Sequence, residues 1–203
     1  MNFLDQNSGN VMFPVFLKLH QLHLLIVGGG NVGLEKLEAV LRNAPLAEVT
    51  LVAGEIRRDE ILELEKNHPN LEVVIRNYEE SDLEGKDLVI CATDSRALHE
   101  QIKATAEAKH LLTNVADTPD LCDFYLCSIV KRGDLKIGVS TNGKSPTLAK
   151  RMRQYLNETL PESDEVQTLL DNLKAVRDKL GGDFDYKVQK LNEITASWLE
   201  EGK

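Results

Sequence analysis

The first 117 residues alternate between short apolar runs and longer segments in which apolar residues recur at helical intervals. Apolar runs occupy residues 22–28, 48–54, 71–77, 87–93 and 111–117. Segments with helical spacing lie between them, at residues 31–42, 56–67 and 95–110, the last with Ser95 as its N-cap. Continuously apolar strands separated by helices are typical of a parallel sheet that is covered on both faces. This half of the chain is therefore predicted to be an α/β domain.

A β-hairpin is predicted after Asp117. Residues 123–130 and 135–141 are rich in β-forming side chains and surround a short turn, "KRGD", at residues 131–134. Two such runs so close together favour a hairpin over another crossover helix. The dipeptide Asn142-Gly143 ends it.

The remainder of the chain is predicted to be helical. Ser145 and Pro146 have the residue types of an N-cap and a first helical position, and they predict a helix to about residue 160. Apolar stripes over residues 163–180 and 184–198 predict two more helices, the last of which includes Trp198. We interpret these stripes as packing faces.

A glycine motif, "GGGNVG" at residues 28–33, lies between the first strand and the first helix. In this context Gly28 permits a tight turn, Gly30 lets the backbone approach a pyrophosphate, and Gly33 allows the helix to pack closely on the strand. The amino end of the helix faces the anion. The motif predicts a dinucleotide site in a Rossmann-type sheet.

The choice between NAD and NADP depends on the end of the second strand, where an acid normally binds the ribose 2′-hydroxyl. Residues 52–54, "VAG", occupy that place, and the nearest acid, Glu55, lies just after it in the sequence. Glu55 can still reach the ribose from the loop, which favours NAD. Arg57 and Arg58 keep NADP as the alternative.

A second stretch, "GVSTNGKSP" at residues 138–146, matches the phosphate-loop pattern of ATP-binding proteins. Such a loop must lie between a buried parallel strand and a helix, and a later strand must supply an acid for magnesium. Here the preceding run belongs to the predicted hairpin, Pro146 follows Ser145 at once, and no strand is predicted after Pro161. We therefore predict no ATP site.

The charge is uneven along the chain. Its formal net charge of −9 argues against nucleic-acid binding, because phosphate neutralisation needs a basic face. One basic segment contains Lys131, Arg132, Lys136, Lys144, Lys150, Arg151 and Arg153, with Asp134 as its one acid. This segment is either a solvated surface or an attractor for a small polyanion.

The sequence lacks the features of a membrane-spanning, secreted or metal-binding protein. No apolar run approaches the ~20 residues needed to span a bilayer, and residues 1–11 lack the regions of a secretory signal, so we expect a cytoplasmic protein that is not membrane-bound. Cys91, Cys122 and Cys127 lie in apolar segments and are predicted to be reduced core thiols. Neither they nor the five histidines form a recognisable metal pattern, so no metal site is predicted.

With these motifs placed, the chain resembles the precorrin-2 dehydrogenase family, the module also found at the amino end of fused siroheme synthases. The matching pieces are "FPVFLKL" at residues 13–19, "LLIVGGGNVGLEKLE" at 24–38, "CATD" at 91–94 and the long run "NVADTPDLCDFYLCSIVKRGDLKIGVSTNGKSPTLAKRMR" at 114–153. The resemblance implies NAD-dependent oxidation of precorrin-2 to sirohydrochlorin on the route to siroheme. It leaves open whether iron is also inserted.

The resemblance also implies roles for individual residues. The acid/base aspartate of the family falls on Asp117, which could take a proton while hydride leaves for the cofactor. The alternative is that Asp117 only caps the turn before Pro119. Besides the three glycines of the motif, the cofactor contacts fall on Asn31, Val32, Gly54, Glu55 and Thr93.

Substrate contacts are expected in the basic segment, because precorrin-2 is rimmed by acetate and propionate carboxylates. They are assigned to Thr141, Lys144, Ser145 and Arg151. Thr141 replaces a serine that is a regulatory position in the fused enzymes, so phosphorylation is not assumed. The family implies a homodimer formed through the second domain.

We therefore predict an α/β protein with an NAD-binding Rossmann-type domain at residues 1–113, a β-hairpin dimerisation and substrate domain at 114–145, and a helical domain at 146–203. Two other functions stay open. One is an NAD-sensing module without catalysis, and the other is a stand-alone sirohydrochlorin chelatase.

Overall fold

The computed structural model describes residues 12–196 of the chain. The predictions made for residues 1–11 and for Trp198 lie outside this part. The chain divides into two compact units, Met1–Leu126 and Cys127–Lys203. The division into three domains that the sequence suggested stays a prediction.

The first unit contains a five-stranded parallel sheet. In chain order the strands are β1 (His23–Val27), β2 (Glu48–Ala53), β3 (Leu71–Ile75), β4 (Leu88–Cys91) and β5 (Leu112–Val115). Their order in the sheet is β3-β2-β1-β4-β5. Val27 pairs with both Val52 and Cys91, and Cys91 pairs with Val115, so the carboxyl ends of the strands share one edge. The strand order reverses beside β1, which is where this type of sheet binds ligands.

Helices cover both faces of this sheet, as predicted. Helices α1 (Asn31–Asn43) and α2 (Glu60–Asn67) contribute to a buried core with Leu24 and Ile26 of β1. Helix α3 (Arg96–Ala108) shares the other core with Leu25 and Val27. Successive strand residues point to opposite faces, so an uninterrupted apolar strand supplies both cores. Between β3 and β4 the connection is a short 3₁₀ helix, Glu80–Leu83.

Several elements are shorter than their sequence patterns predicted. The helix predicted over residues 56–67 begins only at Glu60, because the Arg57 amide donates to the Gly29 carbonyl at 2.9 Å and holds this segment as a loop. The strands predicted to end at residues 77, 93 and 117 end two residues earlier. The residues beyond them form loops at the carboxyl edge of the sheet.

The second unit begins with the predicted hairpin. Strands β6 (Ser128–Arg132) and β7 (Leu135–Val139) pair antiparallel, and Gly133 in their turn has a φ of 57°. Three helices follow, α4 (Pro146–Thr159), α5 (Ser163–Lys179) and α6 (Phe184–Thr195). The Arg132 side chain donates to the Asn157 and Pro161 carbonyls at 2.5 Å and 3.0 Å, so it joins the hairpin to the end of α4.

The three cysteines differ in environment. Cys91 is fully buried, and burial raises its pKa to about 12. Cys122 is half-buried, and its sulfur contacts the backbone of Val115 at 3.2 Å. Cys127 is exposed, so the prediction that all three are core thiols is wrong for this residue. It lies at the junction of the two units, before β6, where its segment contributes to neither core of the sheet.

No helix within residues 12–196 is long and apolar enough to cross a membrane. In the same part of the chain, no three His, Cys, Asp or Glu side chains come together as metal ligands.

Candidate dinucleotide site

A cleft of about 650 Å³ lies at the carboxyl edge of the sheet. Its walls come from the loops that follow β1, β2, β3 and β4. Every residue predicted to contact the cofactor lines this cleft except Gly33: Gly28, Gly30, Asn31, Val32, Gly54, Glu55 and Thr93. The structure therefore brings together residues that are up to 65 positions apart in the chain, between Gly28 and Thr93.

The glycine turn has the geometry that its motif requires. Gly28 has a φ of 128°, and a Cβ there would lie 2.4 Å from the Ala92 carbonyl oxygen. At Gly33 a Cβ would lie 2.0 Å from the Gly28 carbonyl oxygen, so only glycine lets α1 start this close to β1. These two residues shape the turn through backbone packing.

Gly30, unlike Gly28 and Gly33, has open space around it. This space shows whether a dinucleotide would fit beside the turn. Apart from Gly30 and its two neighbours in the chain, no heavy atom lies within 4 Å of the position that a Gly30 Cβ would occupy. This residue precedes α1 and lines the cleft, so the backbone is accessible beside the amino end of a 13-residue helix. Accessible amides and a helix amino end together suit a pyrophosphate. The residues present fit a dinucleotide cofactor.

Glu55 and Arg57 form an ion pair on the wall beyond β2. The Arg57 Nε donates to the Glu55 carboxylate at 3.0 Å, and the guanidinium also lies 3.9 Å from Asp94. The hydrogen bond that Arg57 donates to Glu55 raises the pKa of Arg57. Two carboxylates thus surround one guanidinium, which leaves this wall with a net negative charge where the cofactor ribose binds in this fold.

Arg58 is directed to the start of α1 instead. Its guanidinium donates to Asn31 Oδ1 at 3.0 Å and pairs with Glu60. The hydrogen bond from Arg58 lowers the pKa of Glu60 to about 2. Arg57 and Arg58 were the two residues that left NADP as an alternative cofactor. Of these, Arg57 lines the cleft and Arg58 does not.

Thr93 is held by a residue that sequence reasoning missed. Its Oγ1 lies 2.8 Å from Nε2 of His99, the fourth residue of α3, which is 4% exposed. Burial lowers the pKa of His99, with a further contribution from Arg96. A threonine before a helix and a histidine six residues later do not form a recognised motif. The sequence therefore did not reveal the pair.

Tyr78 was missed as well. It follows β3, lines the cleft and packs partly into the core on the α3 face. Its hydroxyl is buried without a hydrogen-bond partner in the part of the chain that the structure describes. Nothing in the local sequence distinguishes this tyrosine, because its place depends on how the strands are ordered.

Asp117 follows β5 at the same sheet edge. It is exposed and has a φ of 55°, an uncommon conformation for a residue other than glycine. Within residues 12–196 its carboxylate has no hydrogen-bond or ion-pair partner, so it is not used to cap the turn before Pro119. Cys91 pairs with Val115, so Thr93 and Asp117 stand two residues beyond neighbouring strand ends. Asp117 itself is not among the residues that line the cleft.

The predicted substrate residues lie together in the second unit. The Thr141 hydroxyl both accepts from the Ser145 amide and donates to the Ser145 carbonyl, each at 3.1 Å, and Ser145 Oγ caps α4 by accepting from Leu148. Asn142 and Gly143 have φ values of 55° and 73°, so the loop turns tightly before Lys144. Lys144 and Arg151 are exposed. The preceding strand, β7, is antiparallel, unlike the strand before an ATP phosphate loop.

Two family models match the chain. One, described as "Putative NAD(P)-binding", matches residues 15–128. The other, described as "Sirohaem biosynthesis protein central", matches residues 132–158. The first covers the sheet and its cleft, and the second covers β7 and most of α4.

Individual relatives agree with these models. A siroheme synthase of Psychrobacter sp. (strain PRwf-1) is 35% identical over 191 residues, which covers 88% of this chain and 38% of that protein. One of Pseudomonas entomophila (strain L48) is 39% identical over 150 residues, or 74% of this chain and 32% of that protein. The chain thus spans about a third of the length of these curated relatives.

A solved structure described as "SirC, precorrin-2 dehydrogenase" is similar with a TM-score of 0.73 and 27% sequence identity, over 90% of this chain and 89% of that one. The fold, with its parallel sheet, hairpin and following helices, is as the sequence predicted. The glycine turn, the cleft and a family model that matches more than half of the residues agree, and the chain belongs to this NAD(P)-binding family.

Proposed function

We propose that this protein is an NAD-dependent precorrin-2 dehydrogenase, which converts precorrin-2 to sirohydrochlorin in siroheme biosynthesis. The observation that supports this most is the structural similarity to the solved precorrin-2 dehydrogenase, which extends over 90% of this chain. A Rossmann-type sheet alone would support only dinucleotide binding, because unrelated activities share that fold. Here a family model described as "Sirohaem biosynthesis protein central" also matches residues 132–158, which include β7 and most of α4.

The proposed reaction removes two hydrogens from the substrate, one as a hydride and one as a proton. NAD, when bound, supplies the hydride acceptor. The loop after β1 would hold the pyrophosphate through Gly28 and Gly30, and Glu55 would bind the ribose. Asp117 would take the proton at its carboxylate, which is exposed and engaged by no other described side chain.

Glu55 is the residue that we propose favours NAD over NADP. Its carboxylate and that of Asp94 together outweigh the charge of Arg57. A 2′-phosphate placed there would meet net negative charge, whereas a 2′-hydroxyl could donate to a carboxylate.

The carboxylates of precorrin-2 would be bound by the basic surface of the second unit. Lys144 and Arg151 are exposed, and no ion pair within residues 12–196 engages either side chain. Thr141 and Ser145 would contribute by fixing the loop that presents Lys144. Arg132 is engaged with α4 and is left out of the proposed surface.

We also propose a homodimer formed through the second unit. Leu148, Met152 and Tyr155 of α4 are 50%, 41% and 59% exposed and recur at helical intervals. An apolar stripe of this kind is typical of a surface that packs against a partner. Sedimentation analysis tests this, and a monomer at micromolar concentration would contradict it. The cytoplasmic location stays a prediction.

An anaerobic incubation with precorrin-2 and NAD, with and without ferrous iron, tests the function. We expect sirohydrochlorin to form only when NAD is present. A separate incubation with sirohydrochlorin and ferrous iron tests the chelatase alternative: siroheme formed there by a protein that does not oxidise precorrin-2 would indicate a stand-alone chelatase. NAD binding without any product would indicate a sensing module, and either result would overturn the proposal.

A further inference from the structure

The loop after β3 contains an asparagine, Asn77, that is exposed and lines the dinucleotide cleft. Its side chain lies against Gly54, since a Cβ at Gly54 would be 2.4 Å from Asn77 Oδ1. Gly54 directly follows β2 and precedes Glu55, the acid that we propose binds the cofactor ribose. The Asn77 amide therefore belongs to the same wall of the cleft as Glu55, on a surface that a ligand can reach.

The fold holds the backbone of Asn77 in place but leaves its side-chain amide unused. Among residues 12–196, no hydrogen bond engages this amide, whereas the Asn77 backbone carbonyl accepts from Arg76 at 3.0 Å. The Arg76 guanidinium also donates twice to the Asp82 carboxylate, at 2.5 Å and 2.9 Å, and Asp82 is 8% exposed. Asp82 accepts from the Glu79 amide as well, at 2.8 Å. The loop is thus fixed on both sides of an amide that has no partner.

This amide provides the hydrogen-bonding group that Glu55 lacks. A ribose hydroxyl donates one hydrogen bond and can accept others, whereas an ionised carboxylate can only accept. Glu55 can therefore bind the hydrogen of a ribose hydroxyl but not its oxygen. Arg57, the donor nearest to Glu55 in the chain, is already paired with that carboxylate at 3.0 Å. The N–H groups of Asn77 are donors on the same wall, and they complement the carboxylate.

The strand order places Asn77 on the adenosine side of the cofactor. The glycine turn, where a pyrophosphate binds, follows β1, and the position that binds the adenosine ribose follows β2. Asn77 follows β3, which lies beside β2 on the side away from β1. Asp117, the proposed proton acceptor, follows β5 at the opposite end of the sheet. A dinucleotide whose reacting end faces β5 would have its adenosine half at β2 and β3.

We propose that the Asn77 amide donates a hydrogen bond to a hydroxyl oxygen of the adenosine ribose. Asn77 is then a second residue, besides Glu55, that recognises this sugar, and the two side chains have opposite roles as donor and acceptor. The proposal rests on the dinucleotide cofactor of the proposed function. Asn77 binds the cofactor far from the reacting ring, so its loss should weaken NAD binding and leave turnover at saturating NAD unchanged.

Calorimetric titration of wild type, Asn77→Ala and Asn70→Ala with NAD tests the contact. Asn77→Ala is expected to weaken NAD binding by roughly 3- to 10-fold, the loss of one hydrogen bond. Asn70→Ala is the matched control, because Asn70 is also exposed but precedes β3 at the other edge of the sheet, outside this cleft. Unchanged NAD affinity in Asn77→Ala, or an equal loss in both variants, would overturn the proposal.

Two adenosine monophosphates identify the part of the cofactor that Asn77 contacts. Ligand-observed NMR titration, which tolerates weak binding, compares AMP with 2′,3′-dideoxy-AMP, which lacks both ribose hydroxyls. Asn77→Ala should weaken the binding of AMP by the same factor as that of NAD and should leave the binding of the dideoxy analogue unchanged. An equal loss for both analogues would place the contact at the base or the phosphate and would contradict the proposal. Thermal unfolding without ligand checks that both variants fold.

The outcomes separate this proposal from the proposed function. If the wild type binds NAD but Asn77→Ala binds it equally well, only the role of Asn77 is wrong. If the ribose contact behaves as expected but precorrin-2 is not oxidised, only the proposed reaction is wrong.

Discussion

Thr93 and His99 form a hydrogen-bonded pair behind the dinucleotide cleft, with 2.8 Å between Thr93 Oγ1 and His99 Nε2. The pair joins the loop after β4, which lines the cleft, to α3, which belongs to the core. Since the Thr93 hydroxyl also accepts from the Ser95 amide at 3.3 Å, it fixes the turn that begins α3. The position of this cleft wall thus depends on a buried imidazole.

The pH dependence of stability is expected to reflect this imidazole. Burial lowers the pKa of His99, so the folded protein binds a proton there less readily than the unfolded chain does. Stability should therefore fall as the pH drops below about 6.5, the unfolded value, by at most about 1.4 kcal/mol per pH unit. Urea unfolding at pH 7.5 and 5.5 measures this loss.

Between pH 7.5 and 5.5, the His99→Asn variant should lose less unfolding free energy than the wild type does. This expectation holds whatever the stability of the variant at pH 7.5. His20→Asn is the control for the replacement of a histidine that is exposed. An equal loss in wild type and His99→Asn would contradict the explanation.

Substitutions at Gly30 and Gly33 should separate cofactor binding from folding. Gly30→Ala adds a methyl group that meets no protein atom within 4 Å, so stability should be kept. The methyl would occupy the approach to the helix amino end, and NAD affinity should fall by at least roughly tenfold.

Gly33→Ala would place its methyl 2.0 Å from the Gly28 carbonyl oxygen and should destabilise the fold by about 1–3 kcal/mol. Thermal unfolding and NAD titration of both variants check the pair. A stable Gly33→Ala, or a Gly30→Ala that binds NAD normally, would show that the turn does not act as described.

Glu55→Gln should change cofactor preference. The substitution keeps the shape of the side chain but removes the negative charge that neutralises Arg57. NADP should then bind roughly tenfold better relative to NAD, since the guanidinium becomes available to a 2′-phosphate. Glu60→Gln is the matched control, because Glu60 pairs with Arg58 outside the cleft. Titration with both dinucleotides measures the ratio, and an unchanged ratio would be evidence against the role of Glu55.

The double substitution Lys144→Ala with Arg151→Ala should weaken substrate binding alone. Loss of two charge-assisted contacts is expected to raise the KM for precorrin-2 by about tenfold or more and to leave NAD affinity unchanged. Lys174→Ala, on an exposed face of α5, removes a positive charge elsewhere in the same unit. Equal loss of substrate and NAD affinity would contradict a separate substrate surface.

The sequence predicted those features that depend on local residue types. A positive φ is required at Gly28, and a side chain that caps a helix is required at Ser95 and Ser145. Few other residue types satisfy either requirement. The order of strands and helices followed from the same reasoning, because each apolar run had to be buried on both faces.

Features that depend on distant contacts could not be predicted. The segment before Glu60 has helical spacing, but the Arg57 amide is held by Gly29 from another loop. Tyr78 reaches the cleft only because β3 lies beside β2, which the sequence does not specify. Likewise, the sequence pattern did not reveal that the Thr141 hydroxyl is engaged with Ser145.

The most direct measurement compares wild type and Asp117→Asn in anaerobic reactions with precorrin-2 at saturating NAD. Asn tolerates the positive φ of this position, so the variant should fold and bind NAD with unchanged affinity by calorimetry. We predict equal amounts of NADH and sirohydrochlorin from the wild type, and a rate lower by roughly 10²- to 10⁴-fold for Asp117→Asn. Turnover at the wild-type rate by Asp117→Asn, or sirohydrochlorin formed by the wild type without NADH, would contradict the account.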